Sequence, residues 1–364
     1  MSAFATASDN TVEIVWWIGL AINACVVLMM LQVLAFRGLV VFRERKRLRV
    51  KQLWEPILLD SVFSVPAEIP SLEKADAYEF LVLWNYLHES LRDEAVENLN
   101  VAARGAGADV AARHLLKKGN MRKRLMAATA LGNIRDDESR DALEKFISHA
   151  DATLSLTAAQ ALMQIDAKDA IKIVMPLVSE RMDWSLEAVA AMFKKAGADV
   201  VSLPLSKAIV ASCCKDAALN KSVTKLHAHS PRLIYLLRLA QPRFVSYVIR
   251  YVLLRAKDVE TVNAALKVCD DPTILPTVRK LLADSRWQVR VNAAQALGRT
   301  GTARDEKLLV KALRDKEWWV RYRAAQALAN LPSVDSEKLE LYAAQTSKFS
   351  GDILRQVIAE RRLV

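Results

Sequence analysis

The sequence has few cysteines, glycines and prolines, and each shortage excludes a class of protein. There are four Cys, 10 Gly and 10 Pro in 364 residues. The cysteines include the adjacent pair Cys213 and Cys214 but no C-x-x-C, so they favour neither a disulfide scaffold nor a structural zinc site. So little Gly and Pro excludes collagen, flexible linkers and most turn-dense all-β folds. Because 52% of the residues are hydrophobic and 26% are charged, the chain can bury a large core.

Recognisable catalytic and cofactor motifs are also missing. The sequence contains no G-x-G-x-x-G, no P-loop, no G-x-S-x-G and no H-E-x-x-H. Among the five histidines only His227 and His229 are close together, and positions i and i+2 do not share a helical face, so they make a weak metal site. We therefore predict that the protein is not an enzyme and has no catalytic, cofactor-binding or metal-binding residues.

A long uncharged run near the start of the chain predicts a membrane anchor. The run extends from Ile14 to Phe36 and contains no Asp, Glu, Lys or Arg. As a helix it would span about 34 Å, against about 30 Å for a hydrocarbon core, with Trp16 and Trp17 near the headgroup level. We predict a transmembrane helix at 12–42 after a short extracytoplasmic tail at 1–11. The alternatives are a buried soluble helix and a cleaved signal peptide, although in a signal peptide the basic residues precede the apolar run.

Basic residues follow the apolar run and predict its orientation. Residues 37–51 hold seven Lys or Arg and one acid, whereas residues 1–36 hold two acids and no Lys or Arg. We therefore predict a single-pass protein of the bacterial inner membrane, with its N terminus outside and its bulk in the cytoplasm. The segment Arg43–Lys51 is also expected to contact anionic lipid heads. Within the span, Asn23 and Gln32 either contact an integral membrane protein or are tolerated singly at modest cost.

Residues 43–70 are predicted to form a basic juxtamembrane segment and a connector. Pro56, Pro66 and Pro70 lie close together in the second half of this region. Since proline interrupts helices, this density favours an irregular connector over 52–70 instead of a continuing helix.

An internal repeat dominates the rest of the sequence. VRVNAAQALG at 289–298 and VRYRAAQALA at 320–329 match at seven positions when Val289 is aligned with Val320. Further copies are MAATALG and TAAQALM, and weaker ones are EAVAAMF and VNAALKV. The small Ala residues would let neighbouring helices approach closely, while Leu297 and Leu328 would fill the seam between them. A helix pair of about 31 residues cannot bury its apolar face alone, so we predict that the repeats stack.

These residues resemble HEAT repeats, in the short form named after phycobilisome lyases. The resemblance covers residues 120–335 and includes an Asp followed six residues later by an Arg, at Asp284–Arg290 and Asp315–Arg321. It implies a ladder of these charges between repeats, so both arginines are expected to be structural. Towards the N terminus the pattern lapses, and the ladder should be broken there. We predict an all-α fold, an α-solenoid of about six to seven HEAT-like helix pairs at 71–364, preceded by one transmembrane helix.

One basic stretch has no acidic counterpart. Between Ala217 and Lys257 there are eight basic side chains and no Asp or Glu. At 100° per residue, one helical stripe holds four partner-binding candidates, and these are Arg243, Tyr247, Arg250 and Lys257. The opposite face is apolar, with Val245, Ile249 and Val252. The stripe is either an ordinary solvated face or a dock for an anionic surface, such as an acidic partner segment, lipid heads or a phosphate-bearing ligand.

The architecture predicts a scaffold or adaptor at the cytoplasmic side of the membrane that binds partner proteins through its repeats. Its layout resembles membrane-tethered HEAT proteins that accompany bacterial envelope-polysaccharide glycosyltransferases, which implies an envelope-polysaccharide or signalling complex. The alternative is a lyase-type enzyme or enzyme subunit, because phycobilisome lyases add bilins to partner proteins. A nucleic-acid partner is not expected, since the excess of positive charge outside 37–51 is modest.

Overall fold

All regular secondary structure in the part of the chain that the structure describes is helical. The structure is a computed structural model that describes residues 2–91, 94–213 and 230–362. The chain divides into two compact units, Met1–Ala142 and Leu143–Val364. The prediction of an all-α fold is confirmed.

The first unit is built around the C-terminal part of its longest helix. Its helices are α1 (Ser2–Phe63), α2 (Ala77–Ser90), α3 (Glu94–Gly105), α4 (Ala108–Lys118) and α5 (Met121–Ile134), and α6 (Arg140–Ile147) contains the boundary between the units. Helix α2 contacts α1, α4 and α5 and buries Phe80, Leu81 and Trp84 completely. The Trp84 indole N–H donates to the carbonyl oxygen of Leu99 in α3 at 3.2 Å, which satisfies its polar atom.

Helix α1 continues for 62 residues and passes through Pro56. The expected irregular connector over 52–70 is therefore wrong for residues 52–63. A proline removes a hydrogen bond from a helix interior, but Trp54 and Leu58 on either side of it are at most 2% exposed, and this burial offsets the loss. The Trp54 ring packs edge-on against Phe80 with centroids 4.7 Å apart. The end of α1 is thus part of the core of the first unit.

The N-terminal half of α1 is exposed along the predicted span. From Trp16 to Phe42 no described side chain is buried. The helix is long and apolar enough to cross a membrane by length and composition. Core helices of soluble proteins meet the same criterion, but none of the most apolar window is buried here. Signal sequences meet it too, so the span and its orientation stay predictions.

Helices of the second unit alternate between two layers. One layer holds α7 (Ala152–Ile165), α9 (Leu186–Ala196), α11 (Ser230–Leu236), α13 (Val259–Val268), α15 (Trp287–Thr300), α17 (Trp318–Asn330) and α19 (Lys348–Arg362). The other holds α8 (Ala167–Glu180), α10 (Ala198–Cys213), α12 (Pro242–Arg255), α14 (Leu275–Leu281), α16 (Glu306–Ala312) and α18 (Ser336–Gln345). Contacts run along the first layer from α11 to α19, along the second from α8 to α14, and between the layers. This is the α-solenoid arrangement predicted for stacked repeats.

The Ala-rich faces of α15 and α17 pack directly against each other. Ala294, Leu297 and Ala325 are fully buried. A Cβ atom added at Gly298 would lie only 2.8 Å from the Cα of Ala327, so the two backbones approach closely. The predicted role of the small repeat residues at helix contacts is confirmed.

Candidate partner-binding site

A charged pair links consecutive repeats of the second unit. Arg290 is 6% exposed and donates from Nε and Nη2 to the Asp315 carboxylate at 2.7 and 2.8 Å. Its Nη1 also donates to the carbonyl oxygen of Asp284 at 2.9 Å. Bidentate pairs of this kind combine charge with fixed geometry. The predicted ladder is confirmed at this position, and Arg290 is structural.

The Asp–Arg pattern forms this one rung within the described residues. Asp284 instead pairs inside its own loop with Arg286, whose Nε and Nη2 each lie 2.8 Å from a carboxylate oxygen. Arg321 donates to the backbone oxygens of Asp315 and Lys316 at 2.8 and 3.0 Å. Arg290 therefore stabilises the contact between repeats, and Arg321 stabilises the loop that precedes its own helix.

Helix α12 carries the stripe that the sequence predicts. Its exposed face holds Arg243, Tyr247, Arg250 and also Leu254, which was not among the predicted residues. Tyr247 and Leu254 are 65% and 64% exposed. On the opposite face Ile249 and Val252 are fully buried. The amphipathic arrangement is as predicted, and the docking role stays a prediction.

Lys257 does not continue this stripe. Helix α12 ends at Arg255, and Ala256 has an extended backbone with φ −67° and ψ 131°. Lys257 therefore lies in a loop, where its carbonyl oxygen accepts a hydrogen bond from Nη1 of Arg286 at 2.6 Å. The expectation that Lys257 shares a helical stripe with Arg243 is wrong, because the helix stops two residues before it.

Carboxylates from other elements lie next to the stripe. Arg243 donates from Nε to Oε1 of Gln241 at 2.9 Å, and the Gln241 amide donates in turn to the Asp199 carboxylate of α10. The charge of Arg243 is thus connected to an acid through a neutral side chain. The sequence window contained no acid because Asp199 comes from a different helix.

Arg250 also has a carboxylate nearby. Its Nη2 donates to the carbonyl oxygen of Thr273 at 3.3 Å. The pKa of neighbouring Asp271 lies below its ordinary value, mainly because Ser246 and the Thr273 backbone N–H donate hydrogen bonds to it, with a smaller effect from the charge of Arg250. This end of the stripe is therefore less positive than the sequence indicates.

Two other basic side chains of the stretch are bound to backbone oxygens of neighbouring elements. Arg232 donates from Nη1 to the carbonyl oxygen of Arg181 at 2.8 Å, and Arg238 donates to a backbone oxygen of α13 at 3.3 Å. Lys221 and Lys225 lie outside the described residues. The accessible part of the basic stretch in the described chain is thus centred on α12.

The juxtamembrane basic segment is partly used inside the first unit. Arg49 donates from Nη2 to both oxygens of Asp76 at 3.0 and 2.9 Å. Lys46 lies 3.8 Å from the same carboxylate, and Lys51 lies 3.4 Å from that of Glu55. The exposed basic side chains that remain are Arg43, Arg45 and Arg47. Contact with lipid heads stays a prediction, and the candidate residues for it are now Arg43, Arg45 and Arg47.

Candidate metal ligands and reactive thiols do not cluster in the described ranges. No group of three His, Cys, Asp or Glu there could hold a metal ion. His227, His229 and Cys214 lie outside these ranges. Burial is the main cause that raises the pKa of the Cys269 thiol to about 11, so this cysteine is protonated and unreactive at neutral pH. The prediction of a non-enzymatic protein is not tested by these observations.

Exposed tryptophans at the start of α15 and α17 were not among the predicted site residues. Trp287, Trp318 and Trp319 are 37%, 40% and 52% exposed. Trp287 and Trp318 occupy equivalent positions in successive repeats, each two residues before the Val that begins the repeated motif of its helix. The exposure of Trp287 and Trp318 was predictable from the repeat. Both residues come before the Val, Ala and Leu positions that form the buried contact between helices, so they are not part of that contact.

One comparison with known proteins, the match to a family model, supports the repeat assignment. A family model for HEAT repeats matches residues 109–192 and 253–341. Among solved structures, the chain is similar to the crystal structure of an engineered protein, with 18% identity, coverage of 78% of this chain and 86% of that chain, and a TM-score of 0.33. No curated protein matches the sequence. The chain thus contains HEAT repeats, which are typical of protein–protein interaction scaffolds. The match does not distinguish the phycobilisome-lyase form.

Proposed function

We propose that the protein is a single-pass scaffold of a bacterial inner membrane that holds partner proteins at the cytoplasmic side. Helix α1 is the observation that carries this proposal. Its apolar part, Trp16–Phe42, is unburied, whereas Val50, Trp54 and Leu58 of the same helix are at most 2% exposed in the core of the first unit. Because no flexible linker separates the two parts, the membrane segment and the first unit would move together.

The partners are proposed to include an integral membrane protein and anionic lipid heads. Asn23 already donates from Nδ2 to the carbonyl oxygen of Gly19 at 2.9 Å, so within the span Gln32 is the better candidate for contact with a partner helix. The lipid heads would meet Arg43, Arg45 and Arg47. The role is proposed to be non-enzymatic. The placement in an envelope-polysaccharide or signalling complex rests on the resemblance of layout alone.

A topology experiment tests the proposal. Green fluorescent protein and alkaline phosphatase are fused separately to the C terminus of the full chain in a bacterial host. The first should fluoresce and the second should be inactive, since the positive-inside rule places the repeats in the cytoplasm. The full-length chain should also resist extraction from membranes by sodium carbonate. An active phosphatase fusion would overturn the proposal. So would recovery of a soluble protein from which the host has cleaved the N-terminal segment.

A further inference from the structure

An open groove lies between α15, α17 and α19 of the second unit. Its volume is about 470 Å³, within the range of about 300–1,000 Å³ that is usual for ligand sites. Three guanidinium groups line it, from Arg299, Arg323 and Arg361, together with the amide of Gln326 and one carboxylate, Glu360. A concave surface with an excess of positive charge attracts anions.

Contacts within the unit position two of these arginines. Arg299 donates from Nη2 to the carbonyl oxygen of Leu266 in the last turn of α13 at 2.8 Å. Arg361 donates from Nη1 to the carbonyl oxygen of Ala329 in the last turn of α17. Because these bonds already order the side chains, a ligand would lose less conformational entropy in meeting them.

The single carboxylate does not neutralise the groove. Arg299 pairs with Asp270 at 3.2 Å, outside the groove lining. Arg323 donates from Nη1 to the neutral Oε1 of Gln326 at 2.7 Å. Neither Arg323 nor Arg361 forms an ion pair within the described ranges. Two guanidinium groups are therefore available to an added anion.

Glu360 has its own partners. Its Oε2 accepts a hydrogen bond from the Tyr322 hydroxyl at 2.9 Å, and its Oε1 accepts one from Gln356 at 2.9 Å. The first of these bonds links α19 to Tyr322 near the start of α17, and the second lies within α19. Glu360 is therefore bound to Tyr322 and Gln356, and a carboxylate of a ligand would not have to displace it from Arg323 or Arg361.

An aromatic group adjoins the groove along α17. The ring of Trp318 stacks on Tyr322 with centroids 5.1 Å apart, and Trp319 packs edge-on against Trp318 at 4.7 Å. The Arg323 guanidinium lies over Tyr322 at 5.9 Å, so the aromatic and basic groups are continuous. Exposed Trp next to Arg is the composition of interface hot spots.

We propose that this groove binds an acidic linear segment of a partner protein. Its carboxylates would meet Arg323 and Arg361, and an adjacent apolar side chain would pack on Trp318 and Trp319. The inference rests on the proposed scaffold function and identifies the chemistry of one partner. Charge complementarity supports it, because two guanidinium groups lack an acid while the neighbouring surface is apolar.

The same residue types occur in sites for single-stranded nucleic acid, but their arrangement here favours a peptide. Bases stack on open aromatic faces, whereas one face of Trp318 is already covered by Tyr322. Glu360 in the groove lining would repel a run of phosphates. A peptide can place isolated carboxylates beside the arginines and avoid this acid.

Fluorescence anisotropy with the full-length protein in detergent tests the proposal. The probe is a short fluorescein-labelled peptide in which single Leu residues alternate with pairs of Glu. The control peptide has Gln at every Glu position. The acidic peptide should bind at least about tenfold more tightly, and Arg323→Glu should remove most of this difference. Trp319→Ala should weaken binding several-fold by removing the apolar contact.

A matched variant controls for the change in charge. Arg304 lies on an exposed turn and is not among the groove residues, so Arg304→Glu should bind like the wild type. Circular dichroism should give the same helicity for all variants. Equal binding of the two peptides, or equal loss in Arg304→Glu and Arg323→Glu, would overturn the proposal. So would tighter binding of a short single-stranded oligothymidylate that depends on Arg323.

These outcomes are separable from the scaffold proposal. Arg323→Glu should leave the reporter topology and the carbonate resistance unchanged, because it lies outside α1. A negative peptide result with correct topology would thus refute this groove alone.

Discussion

Arg290 and Asp315 join two successive repeats through a pair that is largely removed from solvent. Their side chains are 8% and 14% exposed. Burial by itself would raise the pKa of Asp315, but hydrogen bonds from Arg290 and from the Glu317 backbone N–H outweigh it, so the pKa is lowered. The pair therefore stabilises the folded state when Asp315 is ionised.

We expect Asp315→Asn to lower Tm at neutral pH but not in acid. Loss of the charged partner should cost about 1–3 kcal/mol. Since the folded pKa lies below the unfolded value of about 3.9, this stabilisation is present above about pH 5 and is lost as the pH falls through the folded pKa. The difference between the two Tm values, measured by circular dichroism, should therefore shrink as the pH falls from 7 to 3.

The exposed pair of Asp352 and Arg355 provides the control for this experiment. Their side chains are 54% and 61% exposed, and such pairs contribute about 0–1 kcal/mol. Asp352→Asn should melt like the wild type across the whole range. A Tm difference for Asp315→Asn that stays constant down to pH 3 would contradict the assignment of the pH dependence to this pair.

At the scale of single elements, the contact between α15 and α17 depends on side-chain size. We expect Ala325→Leu to lower Tm, because Ala325 is fully buried there and extra methyl groups in a packed core cost about 1–3 kcal/mol. Ala344→Leu on the exposed face of α18 adds the same atoms at a solvated position and should change Tm little. Equal Tm values for the two variants would mean that the repeat seam tolerates larger residues.

The docking role of the exposed face of α12 can be tested at the same scale. Arg243→Glu combined with Arg250→Glu should abolish a salt-sensitive pull-down of the native partner from detergent extracts. Exposed charges act over about 8 Å at physiological ionic strength, and such surface changes usually cost under about 0.5 kcal/mol. Unchanged recovery of the partner would show that the exposed face of α12 is an ordinary solvated face. Unfolding of the variant would show that the two arginines are structural.

At the scale of the whole molecule, α1 joins the proposed membrane span to the core of the first unit. We expect a chain that begins at residue 43 to keep a folded first unit, because it retains Val50, Trp54 and Leu58. A chain that begins at residue 64 should lose protection from hydrogen exchange in α2 and α3, since removal of several large core side chains costs several kcal/mol.

Hydrogen-exchange mass spectrometry of both truncated chains provides the measurement. The second unit serves as an internal reference, because α15 and α17 pack within it and should keep their protection in either chain. Equal protection of α2 in the two chains would refute the structural role of α1. The predicted start of the repeats at residue 71 would then suffice for a stable domain.

The sequence by itself determined the helical fold, the repeat seam and the apolar segment of α1. These properties follow from local periodicity: small and apolar residues recur at the spacing of one helical face, and a run without charge is readable without knowledge of its neighbours. The burial of Ala294 and Ala325 and the inward face of α12 were predictable for this reason.

Only the tertiary structure decided which charges are available and where helices stop. Pro56 remains helical because core packing of Trp54 offsets the lost hydrogen bond, and Asp199 reduces the charge near Arg243 from another helix. Arg299 and Arg361 meet in one groove although two whole repeats separate them along the chain. Burial energy and electrostatics depend on distances between elements, and sequence spacing does not contain those distances.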